Sequence, residues 1–307
     1  MERKVIVLVG PTGSGKTKLS LILAGLLNSE IISADSRQFY KGLNIGTAKP
    51  SQQELSQVKH HFINNLNIDD EINVSSYEKE ALQTIKKIFA AGKIPIVVGG
   101  SGLYVKALID GIFDTVDTDS EYRKNLLEER NKFGNSYLLD RLKKIDPVTA
   151  SKVLPQNWKR IIRALEVFKI TGKPIWELQQ NYKREAECEF LQFGLNWQRE
   201  KLYAMIEKRV DKMLEDGLVN EVTNILKQNY SKDLNSLNSV GYKEIISYLN
   251  HEISFEESVR LIKRNSRRYA KRQLTWFRKD ERIVWFNLDS TDQLENIAAK
   301  IVRNIKE

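Results

Sequence analysis

GPTGSGKT, residues 10–17, is a complete GxxxxGK[ST] phosphate loop. It follows directly on the apolar run Val5-Ile6-Val7-Leu8-Val9 and precedes the apolar-periodic stretch from Leu19 to Leu27. Gripping a polyphosphate needs glycines that curl backbone N–H groups toward an anion, a helix N-terminus with partial positive charge, and a lysine as a point charge. Gly10, Gly13 and Gly15 supply the curl, with Pro11, Thr12 and Ser14 between them; Lys16 supplies the charge, and the Thr17 hydroxyl suits Mg2+. A strand before and a helix after separate this motif from a chance turn.

Outward from the loop, the first 110 residues alternate strand and helix signals: strand 4–9, helix 16–27, strand 30–33, a short strand near 60–64, helix 77–91, strand 94–98 and helix 102–109. That order predicts an α/β fold with a mostly parallel sheet covered by helices. Beyond Gly111 helical patterns dominate from Glu121 to Gln180, punctuated at Phe133-Gly134, Asp146-Pro147 and Thr171-Gly172-Lys173-Pro174, as in a helical insertion. A strand at 189–196, helices at 199–215, 217–229 and 254–279, a short strand at 282–287 and a closing helix at 290–305 complete the reading. The organisation expected is 1–114 for the first part of the core, 115–185 for the insertion and 186–307 for the second part of the core.

A phosphate-loop enzyme places an acidic residue at the end of a strand beside the loop. Ile94-Pro95-Ile96-Val97-Val98 ends instead in Gly99-Gly100-Ser101-Gly102, where Ser101 either caps the following helix or reaches a substrate. The acid is found where Ile31-Ile32-Ser33-Ala34 runs into Asp35-Ser36-Arg37-Gln38. A carboxylate at the carboxyl end of a parallel strand lies in the crevice where open α/β sheets bind ligands. Asp35 suits a general base, a metal outer-shell ligand or a helix cap.

The 307 residues carry 49 Lys and Arg against 40 Asp and Glu, a formal charge of +9, which points to an anionic partner larger than one nucleotide. From Arg260 to Lys279 there are nine lysines and arginines and no acid; on a helix Arg260, Arg264, Arg267 and Lys271 share a face, with Tyr269, Trp276 and Phe277 available for packing or stacking. Solvated faces mix signs, so this run reads as a groove for a polyanion. Lys159, Arg160 and Arg163 beside Trp158 offer a second basic surface, and interleaved aromatics suit looped or single-stranded RNA. One cysteine and three histidines without ligand spacing argue against zinc. With no long apolar run and no signal peptide, a cytoplasmic protein with no membrane contact is expected.

Six strings, GPTGSGKT, DSRQFYKGLNIGTAKP, GKIPIVVGGSGLYVKAL, RIIRALEVFKITGKP, VGYKEI and RRYAKRQLTWFR, spread from Gly10 to Arg278, closely resemble the bacterial tRNA dimethylallyltransferases, also called tRNA isopentenyltransferases. The resemblance implies a nucleotide-kinase-like core and an inserted helical domain; a monomer is the expected state. It also implies transfer of a dimethylallyl group from dimethylallyl diphosphate, with Mg2+, to the exocyclic amine of the adenosine just 3′ of a tRNA anticodon. Carried onto this chain, it makes Asp35 the base and Ser101, in a position usually held by threonine, a second catalytic residue. The family's phosphate-binding segment falls on Thr12 to Thr17; the diphosphate site expected here is Gly10, Pro11, Thr12, Gly13, Ser14, Gly15, Lys16, Thr17 and Arg209, with Thr17 at the metal. The tRNA anticodon stem-loop is expected at Asp35, Ser36, Arg37, Gln38, Ser101, Arg123, Lys159, Arg160, Ile161, Ile162, Arg163, Gly241, Tyr242, Lys243, Arg264, Arg267 and Lys271. Met205 departs from the family, which commonly has arginine there; either Arg209 or another cation substitutes, or donor affinity is reduced. Two rivals fit parts of the pattern: a nucleotide or nucleoside kinase, and an RNA-binding module with a vestigial loop, against which the intact Lys16, Thr17 and Asp35 weigh.

Overall fold

The computed structural model describes residues 3–113, 117–182 and 187–306. Its chain divides into two compact units, Met1–Ile109 with Ala186–Glu307, and Asp110–Glu185. The expected boundaries at 114/115 and 185/186 fall on residues outside those described.

In the first unit, β1 (Lys4–Val9), β2 (Ile31–Ser33), β3 (His60–His61), β4 (Ile96–Val98), β5 (Glu189–Trp197) and β6 (Val284–Leu288) form a six-stranded sheet in the order β3-β2-β4-β1-β5-β6. Every pairing is parallel, with Ile6 opposite Ile96 on one side of β1 and Leu191 on the other. Val5 to Val9 are all fully buried, the signature of a central strand covered on both faces. Their alternation feeds two layers. Ile6 and Leu8 pack with residues of α1 (Lys16–Leu27), α9 (Arg199–Glu215) and α13 (Leu294–Lys306). Val5, Val7 and Val9 pack with residues of α3 (Val74–Ala90) and α4 (Gly102–Asp110). A third core joins α9, α10 (Leu218–Leu226), α11 (Tyr242–Leu249) and α12 (Phe255–Phe277) around Tyr242.

The short α2 (Gln52–Gln57), closed by a Ser51–Glu54 capping box, and α11 carry too few residues for a periodic signal and were not expected. The strand expected over 60–64 is confined to two residues, because Phe62 and Asn64 take positive φ and leave the extended region. Among the described residues no helix is long and apolar enough to cross a membrane.

The second unit holds α5 (Ser120–Ile145), α6 (Pro147–Ser151), α7 (Trp158–Thr171) and α8 (Ile175–Asn181). Gly134, with φ 84°, breaks α5 at the Phe133-Gly134 punctuation, and Asp146 caps α6 through Thr149 N–H at 2.8 Å. Leu126, Leu138, Leu142, Ile161 and Leu165 make its core.

Candidate active site

The loops after β1, β2 and β4 meet at the carboxyl edge of the sheet, where the strand order makes the chain leave β1 for β2 across β4. That is the switch-point geometry at which open α/β sheets take ligands. A cavity of about 380 Å³ lies there, lined among others by Thr12, Lys16, Thr17, Asp35, Arg209 and Tyr269.

The phosphate loop is held from three sides. Gly15, with φ 93°, turns the chain into α1, a conformation that L side chains resist. Trp197 at the end of β5 donates its indole N–H to the Ser14 carbonyl at 3.0 Å. Gln273 of α12, only 5% exposed, accepts from Thr12 N–H at 2.8 Å and donates to the Gly100 carbonyl at 2.9 Å. A β-carbon on Gly100 would stand 2.2 Å from the Gln273 amide nitrogen, so the glycine turn after β4 exists to admit this side chain. Sequence reasoning missed Gln273, an uncharged side chain within the basic run RRYAKRQLTWFR.

Lys16 donates to the carbonyls of Gly10 at 2.9 Å and Pro11 at 2.7 Å. Burial, and then the nearby Arg209 guanidinium, push its pKa down to about 7, while Asp35 opposes the shift. A neutral amine has two N–H bonds for two carbonyls. An anionic ligand beside Lys16 restores its charge, so diphosphate binding at pH 8 should take up close to one proton, and affinity should fall by up to about tenfold per pH unit above 7. Calorimetry in buffers of different ionisation enthalpy measures the uptake; Lys16→Met should abolish it, and equal heats in all buffers for the wild type would refute the coupling.

Asp35 Oδ1 accepts from Arg37 N–H at 3.0 Å, while Oδ2 accepts no hydrogen bond among the described residues. The Asp35 carboxylate therefore faces the cavity as a free acceptor, not as a helix cap. Ser101 is tied back to the same loop: its hydroxyl accepts from Ser36 N–H at 3.1 Å and donates to Ser36 Oγ at 3.3 Å. It caps α4 through its carbonyl, which accepts from Tyr104 N–H and Val105 N–H. Its side chain thus positions the Asp35 loop. Gln38 reaches the Thr47 and Ala48 carbonyls at 3.5 Å, and Arg37 donates to the Asn235 carbonyl at 2.5 Å.

On α9 the cavity-lining side chains are Ile206, Arg209, Val210 and Met213. Met205 is turned away and packs against the first core. Arg209, its ionisation resisted by burial and favoured by Asp35, is the cation beside Lys16. Restoring arginine at 205 should therefore leave donor affinity level or lower, since it adds a charge to an apolar core. Arg209→Ala should weaken donor binding by roughly 1.5–3 kcal/mol, the range for a hydrogen bond to a charged group. Donor dissociation constants for both variants decide it; a tighter Met205→Arg would show a vacant site.

Gly241 and Lys243 also line the cavity. Tyr242 does not: fully buried, it donates to Glu221 at 2.6 Å. Glu221 in turn accepts the N–H groups of Asn44, Ile45 and Gly46, which fixes the loop after β2. The expectation that the Tyr242 side chain meets RNA is thus corrected; it is a core strut.

A model of the IPP transferase family matches residues 38–280. The chain belongs to the IPP transferase family. It is 47% identical over 304 residues to the tRNA dimethylallyltransferase of Acetivibrio thermocellus, covering 98% of this chain and 96% of that one. To the enzyme of the same name from Pelotomaculum thermopropionicum it is 46% identical with the same coverage. The full-length tRNA isopentenylpyrophosphate transferase of Bacillus halodurans has a similar structure, with TM-score 0.73 and 38% identity over 99% of this chain and 97% of that one. A eukaryotic dimethylallyltransferase acting on tRNA matches with TM-score 0.83 and 29% identity over 98% of this chain and 77% of its own.

In this IPP transferase several expected RNA contacts occupy structural positions. Ile161 and Ile162 are buried in the core of the insertion. Arg123 and Arg163 both clamp the fully buried Glu166, at 2.7 and 2.6 Å, because a buried carboxylate needs paired charge. Lys159 and Arg160 stay exposed, with Lys159 set 5.5 Å from the Trp158 ring centroid. On α12, Arg260 pairs with Glu257 at 2.6 Å and Arg267 pairs with Glu207, while Arg264 donates to Asn265 at 3.4 Å. The cavity is lined instead by Ile262, Ser266, Tyr269, Arg272 and Gln273, on the side of the helix away from Arg260, Arg264 and Lys271. Of the charge run, Arg272 lines the cavity, whereas Arg260, Arg264 and Lys271 do not.

Proposed function

We propose that the chain transfers a dimethylallyl group from dimethylallyl diphosphate to the exocyclic amine of the adenosine 3′-adjacent to the anticodon of tRNA, releasing diphosphate. The observation that carries this reading is that one cavity joins two cations, Lys16 and Arg209, to the unengaged carboxylate oxygen of Asp35. The names of relatives that match nearly the whole chain supply the substrates.

An allylic diphosphate ionises readily because the cation is delocalised, so the main tasks are to stabilise the departing anion and to present the amine in line. Lys16, Arg209 and the curled loop address the first. An adenine amine is a poor nucleophile, its lone pair being conjugated with the ring. Asp35 Oδ2 accepts the amine proton as the new C–N bond forms and the C–O bond breaks. The adenine must leave its stack to reach Asp35, at a cost of roughly a few kcal/mol that is least in a flexible loop.

Mg2+ fits the donor set. The Thr17 hydroxyl and the Asp35 carboxylate are hard oxygen donors lining the same cavity, and Mg2+ takes one or two protein oxygens and completes its shell with water and phosphate oxygens. Among the described residues no group of three or more His, Cys, Asp or Glu side chains stands ready for a metal, so these two would hold it with the diphosphate. Bound there, it supplies neutralising charge to the leaving group.

Incubation with dimethylallyl diphosphate and unmodified tRNA, followed by nucleoside mass spectrometry, tests the reading. A gain of C5H8 on one adenosine is expected. A gain of HPO3 from ATP in its place would establish the kinase rival.

A further inference from the structure

The Glu221 carboxylate of α10 is met by uncharged donors. Its oxygens accept from three successive backbone N–H groups, Asn44 at 3.1 Å, Ile45 at 2.9 Å and Gly46 at 3.2 Å, and from the Tyr242 hydroxyl at 2.6 Å. Successive N–H groups converge on one anion only in a narrow range of backbone conformations, so the carboxylate sets the path of this segment. From the other side Lys49 donates to the Tyr40 carbonyl at 2.7 Å and to Oδ1 of Asn44 and Asn64 at 3.1 and 2.6 Å. The turn needs such support. Ala48 takes φ 43°, a left-handed conformation that L side chains resist and that persists only where the surroundings over-determine it. The N–H groups of Ala48 and Lys49 close the turn on the Ile45 and Asn44 carbonyls at 2.9 and 3.0 Å, and these are the residues whose own N–H groups Glu221 holds.

The turn forms part of the cavity wall. Gly46, Thr47 and Ala48 line the cavity, and Glu221 does not. The Thr47 and Ala48 carbonyls accept from the Gln38 carboxamide nitrogen at 3.5 Å each, while the Ser33 hydroxyl donates to its oxygen at 3.3 Å. These contacts decide which end of the carboxamide is donor and which is acceptor, three residues beyond Asp35 on the same loop. A carboxamide pairs with an adenine edge through one donor and one acceptor, which requires that it not be free to flip.

We propose that Glu221 is a positioning residue for the acceptor base: without touching substrate, it sets, through the 44–48 turn, which way the Gln38 carboxamide faces, and so governs RNA affinity separately from diphosphate affinity. The proposal rests on the RNA acceptor proposed above.

The test is a double-mutant cycle of direct affinities. Wild type, Glu221→Gln, Gln38→Ala and the double variant are titrated with an anticodon stem-loop RNA and, separately, with inorganic diphosphate. In Glu221→Gln an amide NH2 faces backbone donors where an oxygen accepted from them, so the turn must move. Its RNA affinity should fall by about 2- to 12-fold, the range for one neutral hydrogen bond. Gln38→Ala should show a loss of the same size, and the double variant no more than Gln38→Ala alone, with diphosphate affinity unchanged throughout. Gly46→Ala, whose β-carbon would stand 2.4 Å from the Tyr242 ring, displaces the same turn with Glu221 intact and should show the same Gln38-dependent loss. Losses that multiply in the double variant, or an unaltered RNA affinity in Glu221→Gln, would overturn the role. So would a fall in diphosphate affinity in both Glu221→Gln and Gly46→Ala, which would make Glu221 a strut of the whole core. A wild type that binds the RNA but transfers nothing overturns the proposed activity instead, while the cycle still decides the part played by Glu221.

Discussion

Asp35→Ala should lower the single-turnover rate of dimethylallyl transfer by about 10²- to 10⁴-fold, the range for losing a general base, while tRNA affinity stays within several-fold. Separation of the two effects follows from the geometry. Oδ1 is engaged by Arg37 N–H, but the loop itself is also held by the Ser101–Ser36 pair. Removing the carboxylate therefore leaves the loop with its other support and takes away the acceptor that faces the cavity. Rapid-quench transfer and filter-binding affinity measured on the same variant decide the matter. Parallel losses in both would assign Asp35 a structural role in place of the base.

Gln273→Leu is the second large effect. The side chain engages two backbone groups, the half-buried Thr12 N–H and the buried Gly100 carbonyl, and leucine satisfies neither. An unsatisfied buried group costs about 1–3 kcal/mol, and the Thr12 N–H can turn to water in the cavity, so thermal or denaturant unfolding should show a loss of about 1–3 kcal/mol. Because Thr12 sits in the phosphate loop, diphosphate binding must then re-order that loop and should weaken by about tenfold, equivalent to some 1.4 kcal/mol. Gln273→Glu separates hydrogen bonding from shape. Ionised, the carboxylate faces the Gly100 carbonyl without a proton to offer; protonated, it donates as the amide does. Its deficit against the wild type should therefore shrink as pH falls through the carboxyl range. A deficit independent of pH would mean that Gln273 acts by packing.

What could be read from the residues depended on how local the physics was. The central strand, the loop and α1 follow from contiguous signals, an apolar run and a glycine pattern, and the edges Lys4–Val9 and Lys16–Leu27 agree with the expected ranges. Asp35 could be found because strand ends and ligand crevices coincide in this class of fold. Gln273 could not, since its role depends on two backbone atoms 261 and 173 residues away, and an uncharged side chain in a basic run carries no local mark. The same holds for Glu166. Its buried carboxylate claims Arg123 and Arg163, which in sequence look like free cations. On α12 the density of charge was legible but its direction was not, because the acids that pair Arg267 and Lys263, namely Glu207 and Asp211, lie on α9. Arginines and lysines facing their own protein and those facing a ligand read alike until the neighbouring helix is in place.

The sheet order also sets a schedule during translation. β1 is complete within the first ten residues, yet one of its edges pairs with β5, which begins at Glu189, and the loop that follows it waits for Gln273. At about 5–20 residues per second a ribosome needs roughly 9–40 s to pass from one strand to the other. Throughout that interval the most apolar strand of the protein has an open edge, the kind that recruits other chains. Nascent chains arrested before β5 should therefore be the aggregation-prone species and should fail to bind diphosphate, although they carry the whole of GPTGSGKT. A phosphate loop made first becomes a site last.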